Sequence, residues 1–403
     1  MAYFMMFLTS TGALNFTYSF LIISLITGVW YQMVHNRENT FIIYKNIPIF
    51  SLVLFGETYA FFCVDQVFHY FFYYALIIPL SYWAGYTLAD REDDQLKSFR
   101  KIFYAIVIGL EIHILLNAVT NVGVARNFLT DFFSGEYVCA TGAGSLSTII
   151  LATAAYWLIT EKTVVVKIIG TVCILLSLRY GLLIGTRTQF IILGICFVIC
   201  TFVYLVQKGR LKGAISFAVI CLLICLLSFY TYSHNWFGLK TLIDASNLAD
   251  RFSAIHGDSL KKADSYRISS IPRGFVTLFE HPFGGLISET YYHNTWLDIG
   301  RVAGIFPFIF WLIYTAVEFA HMISIVKKRF ICAEFRILLL GLYLGIYLNM
   351  FVEPGMEGFR WLIYTFAWIG GMVDCIYYRI CIDKTYVNKL SVWRSAKNAE
   401  IGG

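Results

Sequence analysis

Long apolar runs dominate the chain, and polar residues collect in the stretches between them. A helix needs about 20 apolar residues to cross the hydrocarbon core of a bilayer, whereas strands of membrane barrels alternate apolar and polar residues over roughly ten positions. The continuous runs therefore predict an all-α, polytopic membrane protein with eleven spans, or twelve if a short helix lies within residues 1–12. The eleven runs lie near residues 13–34, 47–63, 67–89, 101–121, 143–160, 164–185, 188–207, 213–232, 301–325, 332–352 and 359–380.

The composition supports the same class of protein. Hydrophobic residues make up 59% of the 403 residues and charged residues only 14%, whereas a soluble domain carries roughly 25% charge. A water-soluble core cannot absorb this excess, so we expect residues 1–403 to form one transmembrane domain that contacts the lipid bilayer. The ten cysteines follow no metal-ligand spacing and are interpreted as small hydrophobic residues rather than a disulfide framework. The net charge of +6 does not indicate a nucleic-acid partner.

Basic residues separate the connections between the runs into two sets. By the positive-inside rule, the basic set is cytoplasmic. The rule predicts a cytoplasmic tail over residues 381–403 and an N-terminus on the outer side. The basic set contains Arg37, Lys45, Arg91, Lys97, Arg100, Lys101, Lys162, Lys167, Lys208, Arg210, Lys212, Lys327, Lys328, Arg329, Arg379, Lys384, Lys389, Arg394 and Lys397.

Two connections on the outer side are longer than the others. Residues 122–142 are amphipathic, and we expect them to lie along the membrane interface. Residues 233–296 join the eighth and ninth spans, and their many aromatic residues argue against disorder. Loops longer than about 15 residues are usually functional or disordered. We therefore expect this large external loop to carry the active site.

Ionisable residues inside membrane spans are costly and are candidates for function. The spans show no inverted repeat with interrupted helices, which would indicate a secondary transporter, and no glycine-rich nucleotide loop. For each ionisable residue, helix packing or snorkelling is the favoured interpretation over a proton relay. These residues are Glu57, Glu111, Arg179, Glu318, Arg336 and Asp374.

Arginines on the outer side run against the positive-inside rule. Arg187 lies in the short turn GTRTQ, and Arg267 and Arg273 lie in the large external loop. The guanidinium group donates two parallel hydrogen bonds and keeps its charge, which suits a diphosphate. Snorkelling to phospholipid headgroups is the alternative for any single arginine, but it explains the whole set less well.

His293 is the other candidate, in the segment YYHNTWLDIGRVAG. A neutral imidazole can orient or deprotonate a sugar hydroxyl near neutral pH, with Asn294 orienting the ring. A lone histidine at an interface is more often structural, and that alternative stays open. No set of His, Cys and Asp residues has metal-ligand spacing, so no metal and no cofactor are expected.

These residues resemble the signature of the O-antigen ligase and polymerase superfamily of bacterial inner-membrane enzymes. Its H-N-x9-G motif matches His293, Asn294 and Gly304, and its arginine in an outer turn matches Arg187. The resemblance covers roughly residues 95–375. It implies a multi-pass protein of the bacterial inner membrane with its active site on the outer face.

A further motif of this superfamily has an arginine followed about fifteen residues later by a proline and a glycine pair. Arg267, Pro282, Gly284 and Gly285 match it, and Arg273 to Gly284 also matches an R-x10-G spacing. The resemblance gives Gly284 and Gly285 the role of letting the loop approach a ligand closely, and the outer arginines the role of binding the diphosphate.

The resemblance implies an inverting, metal-independent glycosyltransferase whose donor and acceptor are undecaprenyl-diphosphate-linked glycans. Only seven residues separate Gly285 from His293, which favours a polymerase of oligosaccharide repeat units, with a chain-length regulator as a further partner. One alternative is a ligase that transfers glycan to lipid A–core. A less favoured alternative is a transporter or flippase for lipid-linked glycans.

Overall fold

The apolar runs fold into helices. The computed structural model describes residues 2–30, 47–63, 67–91, 94–125, 128–238, 241, 270–287, 290–358 and 360–382, and this described part is 82% helical and contains no strand. Its first helices are α1 (Ala2–Ser10), α2 (Phe16–Ser24), α3 (Ile47–Phe62), α4 (Ile77–Arg91), α5 (Gln95–Thr120), α6 (Ala140–Ser145), α7 (Thr148–Ala152), α8 (Val164–Ile184) and α9 (Thr188–Gln207). The chain continues with α10 (Leu211–Ser233), α11 (residues 270–280), α12 (Thr295–Ala303), α13 (Ile305–Lys327), α14 (Ala333–Val352) and α15 (Arg360–Tyr377).

Shorter helical pieces extend several of these helices. π-Helical segments follow α2 (Leu25–Trp30), precede α4 (Phe71–Leu76) and follow α15 (Tyr378–Ile382). The turn Val67–Tyr70 leads into the second of these segments, and the turn Gly355–Gly358 precedes α15. α1 confirms that a short helix lies within residues 1–12, although its nine residues are too few to span a bilayer.

Within the described part of the chain, six helices are long and apolar enough to cross a membrane: α5, α8, α9, α10, α13 and α14. The described residues of α10 include a single buried one, Ala214, and α8 also exposes valine and isoleucine side chains. Such extended apolar surfaces are typical of contact with lipid. The prediction of an all-α fold is therefore confirmed for the described residues, and these helices support the prediction of a membrane protein. The count of eleven or twelve spans stays a prediction.

The run at residues 143–160 does not form one continuous helix. α6 and α7 are separate, and a π-helical segment, Tyr156–Thr160, follows them. Every residue of α7 is buried, and α8, α9 and α14 pack around it. A non-helical backbone is tolerated at membrane depth where protein covers it. A Cβ atom on Gly144 would lie 2.3 Å from Nε2 of Gln189, so this broken segment also relies on a glycine to pack against α9.

The run at residues 301–325 is also divided. Gly304 has a φ of +88°, a backbone conformation that glycine adopts without steric cost. It ends α12 and starts α13 in a new direction. The long helix therefore begins at Ile305, and the His-Asn motif lies on the short helix before it.

Helices α4 and α15 make the closest contact in the bundle. A Cβ atom on Gly371 would lie 1.9 Å from the carbonyl oxygen of Tyr82, and one on Gly85 would lie 1.9 Å from that of Trp368. Small residues at helix interfaces let backbones approach each other in membranes, where van der Waals packing rather than the hydrophobic effect holds helices together.

Contacts between helix termini define the two ends of the bundle. Lys162 Nζ lies 3.2 Å from Glu334 Oε1, and Arg379 Nη2 lies 2.6 Å from Asp90 Oδ1. These contacts lie at the end where α9 and α13 terminate beside Lys208 and Lys327–Arg329, which we call the basic end. At the opposite end, α8 and α14 terminate and α9, α13 and α15 begin. We call this the His293 end.

We expect Gly371→Ala to destabilise the protein, because even one methyl group overlaps the backbone of α4. Overpacking of this kind costs about 1–3 kcal/mol, and the effect is a lower midpoint of thermal unfolding in detergent, followed by tryptophan fluorescence. Gly194→Ala on α9 is the control, because a Cβ atom there meets nothing within 4 Å. Equal midpoints for Gly371→Ala and the wild type would contradict the close contact.

Candidate functional site

The His-Asn motif lies at the start of α12. Asn294 is the N-cap, and its side-chain oxygen accepts a hydrogen bond of 3.1 Å from the backbone N–H of Leu297. The carboxylate of Asp298 accepts from the N–H groups of Tyr292 and Asn294 at 2.8 and 3.2 Å. Capping of this kind satisfies N–H groups that a helix leaves unpaired at its start. The backbone around His293 is therefore held on both sides.

His293 adopts a left-handed backbone conformation with a φ of +54°. Residues with side chains rarely adopt it, and such strained positions are found often at functional sites. Its Nδ1 lies 3.7 Å from Oε2 of Glu353, and the imidazole is 27% exposed whereas the Glu353 side chain is 3% exposed. The ring therefore faces a buried carboxylate on one side and solvent on the other.

Glu353 connects this histidine to the GTRTQ turn. Its Oε1 accepts a hydrogen bond of 2.9 Å from the hydroxyl of Thr188, the residue that follows Arg187. The structure thus brings together two segments that lie about a hundred residues apart in the sequence and that both carry predicted site residues.

The end of α14 is docked on the start of α12. The hydroxyl of Thr295 donates to the carbonyl of Glu353 at 2.9 Å and accepts from the N–H of Gly355 at 2.9 Å. The side-chain amide of Asn294 donates to the carbonyl of Phe351 at 3.3 Å. The oxygen and the nitrogen of the Asn294 side-chain amide are therefore both bonded to backbone groups. Asn294 thus acts on His293 indirectly, by fixing the backbone that carries the imidazole.

A fully buried arginine binds the chain directly after the HPFGG segment to α12. Arg301 Nη1 donates to the carbonyl oxygens of Leu286 and Ile287 at 2.7 and 3.1 Å, and its Nε donates to Asp298 Oδ1 at 3.2 Å. The guanidinium also lies 5.0 Å from the ring centre of Tyr291. This side chain ties Leu286 and Ile287, which follow the glycine pair, to α12.

The two glycines of that segment differ in their surroundings. A Cβ atom on Gly284 would lie 2.5 Å from the carbonyl oxygen of Val302, whereas one on Gly285 would meet nothing within 4 Å. Both have positive φ, and the N–H of Gly285 donates to Val302 at 3.0 Å. At Gly284 the close approach is to the protein's own backbone. Close approach to a ligand stays a prediction for both.

The predicted arginines are placed unequally. Arg187 occupies the N-cap position of α9 and is partly exposed. Arg273 is exposed on α11, one turn before Thr277, whose hydroxyl lies 2.8 Å from that of Tyr292, the neighbour of His293. Arg267 lies outside the described residues, as do half of residues 233–296 and the tail from residue 383.

Two carboxyl groups and an arginine lie around the partly exposed imidazole of His293. Burial raises the pKa of the Asp298 carboxyl, while the N–H groups of Tyr292 and Asn294 and the charge of Arg301 oppose this rise. Asp298 is thus fully engaged in holding the loop, whereas Oε2 of Glu353 has no hydrogen-bond partner among the described residues. A neutral imidazole with its Nδ1–H toward Glu353 would leave Nε2 as an acceptor for a hydroxyl group.

The shorter of the two segments predicted to be external is residues 122–142, and its described part packs against the end of α5. Asp131 lies 2.5 Å from Nε2 of His113 and accepts from the N–H of Ser134 at 2.9 Å. Burial raises the pKa of Asp131, but these hydrogen bonds outweigh it and hold the pKa below its ordinary range. Phe128, Phe132, Phe133 and Tyr137 are exposed, so the described part is amphipathic, as expected for a segment at the interface.

Four residues of the site were not among the predicted site residues. Thr188 directly follows Arg187, and Glu353 precedes Pro354 in a connection with few other charges. Asp298 and Arg301 are three residues apart in the segment after the His-Asn motif, a spacing that places oppositely charged side chains on one helix face. The sequence could therefore have indicated that Asp298 and Arg301 form a pair, whereas only the tertiary structure shows that Glu353 lies beside His293.

We expect Arg301→Met to release the loop between Pro282 and Tyr292. The change leaves the buried carboxylate of Asp298 without its cation, and breaking a buried pair costs about 3–5 kcal/mol. Amide hydrogen exchange of Gly285 and Leu286 should accelerate. Arg329→Met at the exposed basic end serves as the control. Unchanged exchange in Arg301→Met would show that the guanidinium does not hold the loop.

Comparison with known proteins adds no relative: no protein-family model matches the chain, and no curated protein matches it. The function of this site is therefore inferred from its own chemistry. The structure places together an imidazole in a left-handed conformation, a buried carboxylate and a turn that carries an arginine.

Proposed function

We propose that the protein is a membrane glycosyltransferase that polymerises undecaprenyl-diphosphate-linked oligosaccharide repeat units. The observation that carries the proposal is the position of Glu353, which lies 3.7 Å from His293 and bonds to Thr188 beside Arg187. This position supports the proposal, because the imidazole that could accept a proton lies near the turn that carries Arg187, whose side chain could bind phosphate. The order of these motifs along the chain is the one that the superfamily resemblance implies.

His293 acts on the acceptor in this proposal. Nε2 of the neutral imidazole accepts the proton of a sugar hydroxyl while the hydroxyl oxygen attacks the anomeric carbon of the donor. The bond from that carbon to the diphosphate breaks, and the diphosphate leaves with the electron pair. One displacement inverts the anomeric configuration. Glu353 stabilises the imidazolium that forms, because its carboxylate faces Nδ1.

Arginines bind the leaving diphosphate in this proposal. Arg187, Arg267 and Arg273 supply the positive charge, since the guanidinium fork matches phosphate oxygens and stays ionised. Charge that develops on the diphosphate in the transition state is then neutralised by protein side chains. Asn294 contributes by fixing the turn that presents His293.

The proposed arrangement in the membrane follows the distribution of charge. Eleven or twelve spans place the His293 end on the outer face of the bacterial inner membrane and the basic end, with the C-terminal tail, in the cytoplasm. The donor and acceptor then reach the site from the outer leaflet. This orientation supports a polymerase or ligase that acts after the lipid-linked glycan has crossed the membrane.

We expect the purified protein to convert a single lipid-linked repeat unit into a ladder of longer glycans. His293→Ala should lower the initial rate by about 100- to 10,000-fold, the usual contribution of a positioned acid or base. Arg267→Ala should lower it by about 100-fold or more. The ladder is measured by gel electrophoresis of the labelled glycan.

His234→Ala is the matched control, because this exposed histidine also lies at the His293 end, after α10. A ladder of wild-type length from His293→Ala would refute the site. A wild-type protein that extends no glycan until a different acceptor lipid is added would be a ligase. Movement of labelled glycan across the membrane at unchanged length would indicate a transporter.

We expect Glu353→Gln to lower the rate at least about tenfold, as part of the contribution of a positioned base. The glutamine oxygen can still accept from Thr188, but the negative charge facing His293 is lost. In a His293→Ala background the same change should have no further effect, because residues that act together are not additive. Additive losses would show that Glu353 acts independently of His293. Glu280→Gln, an exposed change on α11, is the control.

A further inference from the structure

Two carboxyl groups face each other inside the helical bundle, away from the site described above. Glu318 lies on α13 and Asp374 on α15, and each is 0% exposed. Glu318 is nine residues before the end of α13 at Lys327, a distance of about 13 Å along the helix. The charge of Asp374 acts directly on Glu318. Both groups are therefore deep between the helices.

Three side chains hydrogen-bond to this pair. The hydroxyl of Tyr343 on α14 donates to Glu318 Oε2 at 2.8 Å, and that of Tyr82 on α4 donates to Asp374 Oδ2 at 2.5 Å. Nδ1 of His321 lies 2.5 Å from Asp374 Oδ1. Both oxygens of Asp374 are thus engaged, but only one oxygen of Glu318 is.

The other oxygen of Glu318 has no donor as a partner among the described residues; the carboxyl of Asp374 lies within hydrogen-bonding reach of Glu318 but donates only when it is protonated. The hydroxyl of Tyr314, also fully buried, has no partner among the described residues either. Both atoms point at Gly370, where an added Cβ atom would lie 3.0 Å from Glu318 Oε1 and 2.6 Å from the Tyr314 hydroxyl. A buried polar atom without a partner is costly, and an ionised carboxylate in this position would be more costly still.

The surrounding helices supply little positive charge. Among the described residues, His321 is the only basic side chain that pairs with either carboxyl. The imidazolium of His321 can balance the charge of one carboxylate. The second carboxyl of the pair is then protonated and neutral, because two buried carboxyl groups at short range cannot both be ionised. The other titratable groups that face the pair are Tyr82 and Tyr86 of α4, Tyr314 of α13, Tyr343 and Tyr347 of α14, Cys375 and Tyr377 of α15, and Tyr378.

We propose that Glu318 is a proton-binding site within the membrane and that Asp374 and His321 connect it to water at the basic end. His321 lies four residues before Ile325 near the end of α13, its side chain is 13% exposed, and its ring stacks on Tyr377 at 3.9 Å. Of the three groups, its side chain is the one that the protein does not fully cover, and it lies nearest to the basic end.

The transfer moves one proton at each step. Protonated His321 releases its Nδ1 proton to Asp374 Oδ1 and becomes neutral, and water at the basic end supplies its next proton. Asp374 then passes the proton to ionised Glu318 and returns to its carboxylate form. The same steps in reverse release the proton, so the site fills and empties with the pH at the basic end. The proposal does not depend on glycosyl transfer.

Infrared spectroscopy of the full-length protein, in a detergent without carbonyl groups, tests the bound proton. A protonated carboxylic acid has a C=O band that a carboxylate lacks. Near neutral pH we expect Glu318→Gln to remove one such band and Asp374→Asn to retain it. Glu334→Gln, a control at the basic end, should leave the bands unchanged. A Glu318→Gln spectrum with every wild-type carboxylic acid band would overturn the proton site.

Transfer into D2O tests the route. The Glu318 band shifts when deuterium replaces the proton, and we expect His321→Phe and Asp374→Asn to slow this shift by about 100-fold or more. The phenylalanine ring keeps the stacking on Tyr377. Glu111→Gln removes a buried acid of α5, which is bonded to Ser177 instead, and should leave the rate unchanged. Exchange at the wild-type rate in His321→Phe would overturn the route through this histidine.

Discussion

The start of α12 is held against the end of α14, and the arrangement of the site at the His293 end depends on this contact. Thr295 bonds to the chain on both sides of Pro354, and Asn294 reaches the last turn of α14. These bonds place Glu353 beside His293 and within reach of Thr188. Because the hydroxyl of Thr295 both donates and accepts, the contact leaves none of these backbone groups unpaired in a buried position.

The buried charges of the molecule fall into two kinds. Arg301 is fully enclosed, but its donors meet two carbonyls and a carboxylate, so it can hold a loop rigidly. Glu318 is equally enclosed, yet one of its oxygens meets no donor among the described residues. In a medium of low dielectric, a charged side chain stabilises the structure when all its polar atoms have hydrogen-bond partners. A carboxyl with an unpaired oxygen is instead favoured in its neutral, protonated form. The same physical constraint therefore supports a structural arginine at one end and a proton-binding carboxyl between the helices.

The apolar pattern predicted the helices well and their interruptions poorly. Every apolar run contains helix, because a chain in lipid must satisfy its backbone hydrogen bonds internally. The break within residues 143–160 was not predicted, since Gly142, Gly144 and Ser147 are compatible with a membrane helix until neighbours cover them. Likewise, helix packing was the favoured interpretation for Glu318 and Asp374 because their positions alone do not reveal that they face each other.

The amino-acid sequence was enough to predict a helical protein with apolar helices of membrane-spanning length, its basic connections, and an unusual His-Asn turn in a segment that also carries arginines. These properties depend on local composition and spacing, which any reader of the sequence can count. The pairing of Glu353 with His293, of Arg301 with the carbonyl groups that follow the HPFGG segment, and of Glu318 with Asp374 came only from the folded chain. Each pairing joins different helices or loops, and its geometry depends on how closely glycines such as Gly284 and Gly370 let those elements approach.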